Sequence, residues 1–216
     1  MRDRPCIEQI DPLAPDQHLI KRAADIIAAG GIVIYPTRNL YGLGADAQNP
    51  GAVRRVFEIK KRNPDNPVSI LIPGIGVLDR YAEDITEDAG KIMQGFWPGG
   101  ITLVFRAKPD LPDILTAGTG TVGIRLPAHP AAAALAKETG RAITATSANL
   151  SGQPGASRIE DISREVTQAA DLVMNAGALE PGAGSTILDV TAEPPKILRH
   201  GPVAEEDVFS LLKKHK

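Results

Sequence analysis

The chain has 216 residues, 43% of them hydrophobic, and a formal net charge of −2. This length and apolar content predict a single domain over residues 1–216, with its core at about 15–201 and a C-terminal helix at about 204–214. Because the charge is nearly balanced, contact with nucleic acid would require a local basic patch.

The cysteine, histidine and apolar patterns exclude several classes of protein. The single cysteine, Cys6, cannot form a disulfide framework or a cysteine metal cluster, and the four scattered histidines lack the spacing of a zinc site. No run reaches about 18 apolar residues, and the N-terminal residues lack an apolar signal region. We therefore expect a cytoplasmic protein with no membrane partner and no tightly bound, protein-ligated metal.

The predicted elements alternate between helices and short apolar strands, which is typical of α/β proteins. A helix over 19–29 ends at Gly30-Gly31, a buried strand at 32–35 ends at Pro36, and Asn49-Pro50 begin a helix that runs to about Lys60. Further strands are expected at 68–72, 101–105, 122–126, 142–146, 172–174 and 185–190, and further helices at 83–94, 130–139, 159–167 and 205–214. Segment 177–184, rich in glycine and alanine, is predicted to be a mobile loop.

The fold class follows from this alternation and from the turns. Frequent glycines and prolines between the elements disfavour a purely parallel sheet. We predict an α/β protein with a twisted, open, mixed parallel and antiparallel sheet flanked by helices, and a concave, positively charged cleft.

Two polar runs carry most of the expected chemistry. Lys60-Lys61-Arg62 ends a predicted helix, and the rigid turn 63–67 that follows would aim Arg62 and Asn66 at one ligand. Ser147-Ala148-Asn149 follows an apolar strand. Cations and neutral donors without a nearby histidine–carboxylate pair suit phosphate binding better than peptide or ester cleavage. Taken separately, solvated cations at a helix end and a hydrogen-bonded turn remain open alternatives.

Other polar residues also lie at strand ends. Thr37 to Gly44 follow a strand, where α/β proteins place ligands, although an ordinary loop is an equal alternative. Arg125 lies on an apolar strand, so it needs a carboxylate or phosphate partner or an internal ion pair. His129 is interpreted as a helix cap, and Trp97 as a structural anchor.

In order, these segments resemble the YrdC-type family of L-threonylcarbamoyladenylate synthases, in its short single-domain form, and the resemblance spans roughly residues 20–201. It rests on the following segments: Gly30-Gly-Ile-Val-Ile-Tyr-Pro-Thr-Arg-Asn-Leu-Tyr-Gly-Leu-Gly44, Lys60 and Arg62 with Asn66-Pro67, Trp97-Pro-Gly-Gly-Ile-Thr102, Val122 to Pro130, Ser147-Ala-Asn149, Ser185-Thr-Ile-Leu-Asp189 and Arg199-His-Gly201.

The resemblance implies that L-threonine, bicarbonate and ATP with Mg²⁺ give threonylcarbamoyl-AMP and pyrophosphate. Downstream threonylcarbamoyl transferase proteins would then modify adenosine 37 of tRNA. It assigns catalytic roles to Lys60, Arg62, Ser147 and Asn149. It also assigns nucleotide binding to Asn66, Thr121, Ser157 and Arg199, and substrate binding to Thr37, Asn39, Arg125 and Ser185, with Arg125 meeting the threonine carboxylate.

The chain departs from the family pattern at four positions. Arg38 replaces an acidic residue, Asn39 a threonine, Leu71 a histidine that some members carry, and Gly184 a glutamate. In a synthase, Arg38 is expected to point away from the substrate or to pair with a local acid such as Asp46. Two alternatives remain: a YciO-like paralogue with an altered nucleotide or RNA substrate, and a non-catalytic binder of double-stranded RNA or tRNA.

Overall fold

A computed structural model describes residues 6–213. Its strands are β1 (Cys6–Gln9), β2 (Val33–Pro36), β3 (Tyr41–Gly44), β4 (Ile70–Leu71), β5 (Ala82–Glu83), β6 (Ile101–Ala107), β7 (Thr121–Arg125), β8 (Ile143–Thr144), β9 (Thr146–Ser147), β10 (Leu172–Asn175), β11 (Thr186–Asp189) and β12 (Lys196–Arg199). Its helices are α1 (Gln17–Ala28), α2 (Pro50–Lys60), α3 (Glu87–Phe96), α4 (Asp113–Thr116), α5 (Pro130–Thr139), α6 (Arg164–Ala169) and α7 (Glu205–Lys213). Short 3-10 turns occupy Ile75–Arg80 and Ile159–Asp161.

The strands form two mixed sheets, so the predicted mixture of parallel and antiparallel pairing is confirmed. The five-stranded sheet has the order β1-β10-β2-β3-β9, parallel across β1-β10-β2 and antiparallel beyond. The other sheet has the order β12-β11-β6-β7-β4-β8, with β5 paired to β6; its β11–β6 and β4–β7 pairs are parallel. We expected a single sheet and found two.

Helices cover the sheets in layers. On the five-stranded sheet, alternate residues of β2 face opposite sides: Val33 packs towards α1 and α5, and Ile34 towards α2 and α6. Helices α3 and α7 pack with the seven-stranded sheet in a third apolar cluster. Helix α2 contributes Val53 to this cluster and Val56 to the cluster behind Ile34, so it lies between the two sheets.

Local signals set the bounds of α2. Asn49 Oδ1 accepts hydrogen bonds from the backbone of Gly51 and Ala52, and Pro50 occupies the first turn, where its missing donor costs nothing. The helix ends at Lys61, which is left-handed with a φ of 48°. This end places the Lys60 side chain beside the 147–149 turn.

Several predicted elements are shorter or divided. The strand expected at 142–146 is two strands in different sheets, β8 and β9. The helix expected at 83–94 begins at Glu87, after β5, and the one at 159–167 is a 3-10 turn followed by α6. Strands β1, β3 and β12 were not predicted, and residue 214 of the expected C-terminal helix lies outside the described residues.

Candidate functional site

A cavity of about 730 Å³ opens between the two sheets, and its walls carry most of the polar residues singled out in the sequence. Gly42 and Ser147 line it from the five-stranded sheet, while Thr102 and Arg125 line it from the seven-stranded sheet. Its lining includes five cationic side chains and no Asp or Glu; the cations are Arg38, Lys60, Arg62, Arg125 and Arg199. Such a lining attracts anions.

Ten of the twelve predicted site residues line this cavity: Thr37, Asn39, Lys60, Arg62, Asn66, Arg125, Ser147, Asn149, Ser185 and Arg199. Thr121 and Ser157 lie outside the lining. The hydroxyl of Thr121, at the opposite end of β7 from Arg125, pairs with that of Thr119 at 2.9 Å. The Ser157 carbonyl accepts a hydrogen bond from the Leu179 amide at 2.9 Å. The nucleotide roles of Thr121 and Ser157 therefore stay predictions without a place on the cavity wall.

Lys60 is buried, with 2% of its surface exposed, and its ammonium group is hydrogen-bonded within the protein. Its Nζ donates to the carbonyl of Ser147, to that of Asn149 at 2.8 Å and to Asn149 Oδ1 at 3.3 Å. These contacts use all three ammonium donors. Burial, and then the charge of Arg62, lowers the pKa of Lys60 to about 8. Lys60 thus fastens the 147–149 turn to the end of α2.

The Asn149 carboxamide is also engaged within the protein. Its Oδ1 accepts from the Ser147 hydroxyl as well as from Lys60. Its Nδ2 donates to the carbonyls of Leu150 and Gln153, at 2.8 and 2.7 Å. Lys60 and Asn149 therefore shape the wall in this state, and either would have to exchange hydrogen bonds to contact a ligand directly.

Arg62 keeps part of its guanidinium free. Its Nε and Nη2 donate to the carbonyls of Asn66 and Pro67 at 2.9 and 2.8 Å, which clamps the proline-rich turn around it. Within residues 6–213, Nη1 has no hydrogen-bond partner. Burial lowers the pKa of Arg62, but the group remains a cation at neutral pH. Neighbouring Lys61 points elsewhere, to Glu165 at 2.8 Å.

Among the five cations of the cavity lining, Arg125 has no hydrogen bond or ion pair with the described residues. Its Nε is buried without a hydrogen bond, and among the described residues no acid pairs with its guanidinium. Burial lowers the pKa of Arg125, and nearby Arg199 acts in the same direction. An unpaired guanidinium on a cavity wall is costly unless an anionic ligand meets it. The internal ion pair considered from the sequence is not formed.

Arg199 and Thr102 hold Ser185. Arg199 donates from Nε and Nη2 to the Ser185 carbonyl at 3.0 and 2.8 Å, and the Ser185 and Thr102 hydroxyls lie 2.7 Å apart. A Cβ at Gly184 would lie 2.9 Å from Arg199 Nη2. A side chain at position 184 would therefore displace the guanidinium from this arrangement.

The three residues after β2 form the opposite rim. Thr37 Oγ1 donates to the Leu40 carbonyl at 2.6 Å, which closes a local turn. Arg38 Nε pairs with Glu180 Oε2 at 2.9 Å, so the expected local acid is present but is not Asp46. Asp46 is bound by Arg141 at 2.9 Å instead. Naming Asp46 was wrong: the acid beside Arg38 comes from a distant part of the chain, and Arg141 occupies Asp46.

Tyr35 and His129 line the cavity and were not among the site residues predicted from the sequence. Tyr35 is buried, which raises its pKa to about 12, and donates to the Thr144 carbonyl at 3.1 Å. His129 occupies the N-cap position of α5, yet its side chain makes no capping hydrogen bond, so that interpretation was only half right. Its Nδ1 is buried without a partner and burial lowers its pKa. The one sequence signal that placed His129 near the cavity was its position shortly after Arg125, beyond the end of the same strand.

Several of the surface cations that could bind an RNA backbone are paired with acids of the protein. Arg55 pairs with Asp171 at 3.0 Å, and Lys61 and Arg141 pair with Glu165 and Asp46. Of the other cations on and just after α2, Lys60 and Arg62 line the cavity, and Arg54 is exposed with no ion pair among the described residues. This arrangement suits a small anion more than an RNA backbone.

The chain has an α/β fold with a cavity between its two mixed sheets, and five cations line that cavity. The chain belongs to the Sua5/YciO/YrdC family: that family's model, described as "Telomere recombination", matches residues 25–201. Within residues 6–213, none of the helices is long and apolar enough to cross a membrane.

Two relatives carry the name threonylcarbamoyl-AMP synthase, one of them as a putative member. The chain is 36% identical over 95% of its length to a threonylcarbamoyl-AMP synthase of Bacillus subtilis, and 35% identical over 95% of both chains to a putative one of Mycobacterium tuberculosis. A structure of Pyrococcus abyssi Sua5 complexed with L-threonine has a TM-score of 0.91 and 34% identity over 95% of this chain. E. coli YciO has a TM-score of 0.85 at 27% identity, over 95% of this chain and 99% of that one. The chain spans 60% of the length of both the Bacillus and the Pyrococcus relatives.

Proposed function

We propose that this chain is a threonylcarbamoyl-AMP synthase that joins L-threonine, bicarbonate and ATP. The observation that carries the proposal is Arg125, an unpartnered guanidinium in a cavity lined by five cations and no carboxylate. An amino-acid carboxylate is a natural ligand for such a fork of donors. The names of the relatives and the threonine-bound Sua5 structure support the same choice of substrate.

The proposed reaction depends on the alignment of its substrates and does not require a catalytic base. Threonine and bicarbonate combine to a carbamate with loss of water. A carbamate oxygen then forms a bond to the α-phosphorus of ATP while the bond to the β-phosphate oxygen breaks and pyrophosphate leaves. Because the carbamate is already an anion, the attack needs no proton acceptor. Arg62 Nη1 and Arg199 would offset phosphate charge, and Arg125 would hold the threonine carboxylate.

Magnesium fits this site only as part of the nucleotide substrate. Mg²⁺ prefers oxygen ligands, chiefly carboxylates and phosphates, and the cavity lining has no carboxylate to offer. The ion would therefore arrive on the triphosphate and further offset its charge. Transfer of the threonylcarbamoyl group to tRNA by downstream proteins belongs to the same proposal.

The test follows pyrophosphate release while each component is omitted in turn. We expect release only when ATP, threonine and bicarbonate are all present. Arg125→Met should raise KM for threonine about ten- to a hundredfold, as expected for the loss of one charge-assisted contact. Arg106→Met, on β6 outside the cavity, is the matched control and should leave KM unchanged. Threonine-independent release, or equal effects of the two substitutions, would contradict the proposal.

A YciO-like paralogue is the second candidate. It is favoured by the replacements at Arg38 and Asn39 and by the similarity in shape to E. coli YciO. A protein of this kind would bind ATP in the same cavity and show no threonine dependence in the omission assay.

A further inference from the structure

Arg38 and Asn39 connect the rim of the cavity to a distant part of the chain. Arg38 Nε lies 2.9 Å from Glu180 Oε2. Asn39 Nδ2 donates to the carbonyls of Glu180 and Pro181 at 3.2 and 3.3 Å. A Cβ at Gly182 would lie 2.4 Å from that Nδ2, so the glycine permits the close approach.

These contacts are the polar attachments of segment 180–184. Before it, the Leu179 amide is bound by the Ser157 carbonyl and its side chain is buried. After it, Ser185 is held by Arg199 and Thr102. Within residues 6–213, every hydrogen bond and ion pair that the structure gives to 180–184 goes to Arg38 or Asn39.

The segment separates two cavities. On one side, Ala183 and Gly184 line the main cavity beside Ser185. On the other side is a cavity of about 680 Å³ lined by Arg38, Asn39, residues 180–183 and residues 200–202. The position of this thin wall therefore sets how closed the main cavity is next to Ser185.

We propose that Arg38 and Glu180 form a latch that holds segment 180–184 across the cavity rim and thereby tunes affinity for the amino-acid substrate. This rests on the proposed function, in which Ser185 faces threonine. Arg38 is then a positioning residue, and the charge that departs from the family pattern is matched by an acid 142 residues away in sequence.

The size of the effect follows from exposure. The side chains of Arg38 and Glu180 are 75% and 67% exposed, so water and salt screen their attraction. Exposed pairs of this kind are worth roughly two- to fivefold in an equilibrium. Arg38→Glu also places two carboxylates together, which should push the segment off the rim.

The test is a charge-swap cycle of the parent, Arg38→Glu, Glu180→Arg and the double variant. Lys21→Glu is the matched control, because it reverses a charge in the comparably exposed Lys21–Asp25 pair on α1. The readouts are KM for threonine and kcat from pyrophosphate release at low salt, and the rate at which the non-specific protease proteinase K cleaves within segment 180–184 without substrate.

We expect each single reversal to raise KM about two- to fivefold with kcat nearly unchanged and to speed cleavage within segment 180–184, because a released segment fits a protease active site more readily. The double variant should restore both, and the control should change neither. Single variants that match the parent, or a double variant that restores neither readout, would overturn the latch. Absence of threonine-dependent turnover in the parent would reject the proposed function alone, because the cleavage rate still reports whether Arg38 and Glu180 are coupled.

Discussion

Lys60 contributes to the site by holding part of the cavity wall in place. The ammonium binds Ser147 and Asn149, and burial lowers its pKa to about 8 from an ordinary 10.5. Between these values the unfolded chain keeps a proton that the folded chain has released. The free energy of unfolding contributed by this group therefore rises with pH from about 8 to 10.5, and the cost of burying the charge is fully present below 8.

The prediction compares the parent with Lys60→Met by urea unfolding across that range. The difference in unfolding free energy, parent minus variant, should increase as the pH rises, because other titrating groups cancel. A difference that stays flat or falls would show that the lysine remains charged in the folded protein throughout. Lys61→Met, at the exposed neighbour that pairs with Glu165, is the matched control for loss of a lysine at this end of α2.

At the scale of elements, the β2–β3 hairpin is built around one aromatic ring. Tyr35 on β2 lies over Gly42 and Gly44 on β3, and a Cβ at Gly42 would lie 2.6 Å from the ring. These glycines therefore allow the strand to pack closely against the Tyr35 ring. Gly42→Ala should destabilise the protein by about 1–3 kcal/mol, because the ring or the strand must shift.

Gly90 supplies a control of opposite sign for this substitution. It lies inside α3 with open space at its Cβ position. Gly90→Ala should stabilise the protein by roughly 0.5–1 kcal/mol through helix propensity. Denaturant midpoints measure both effects. A Gly42→Ala variant as stable as the parent would mean that the hairpin is not closely packed on Tyr35.

Local sequence signals predicted elements well where the determinants were close together. Asn49, Pro50 and the two glycines after α1 placed helix ends nearly correctly, because caps and turns depend on neighbouring residues. The strand at 142–146 was predicted as one unit, since its division between two sheets depends on distant partners. Motifs named ten residues that line the cavity, whereas the internal bonding of Lys60 and the Arg38–Glu180 pair required the fold.

At the scale of the whole molecule, the distribution of charge discriminates between ligands. The cations of the site line a cavity, while Arg55, Lys61 and Arg141 are paired with acids on the surface. We expect inorganic tripolyphosphate to compete with ATP in equilibrium binding, and a short double-stranded RNA to bind weakly and without competing. If RNA and ATP displace each other in this assay, the mouth of the cavity binds a nucleic-acid backbone.

Between β8 and β9 the chain passes from one sheet to the other through a single residue. Ala145 lies between β8 and β9, its amide donates to the Ser69 carbonyl at 2.7 Å, and Thr144 donates to Ala45 and Leu43 on the neighbouring segment. The sheets therefore cannot part without breaking buried hydrogen bonds. A ligand that enters the cavity finds its walls already in place, so little of its binding free energy is spent on ordering the protein.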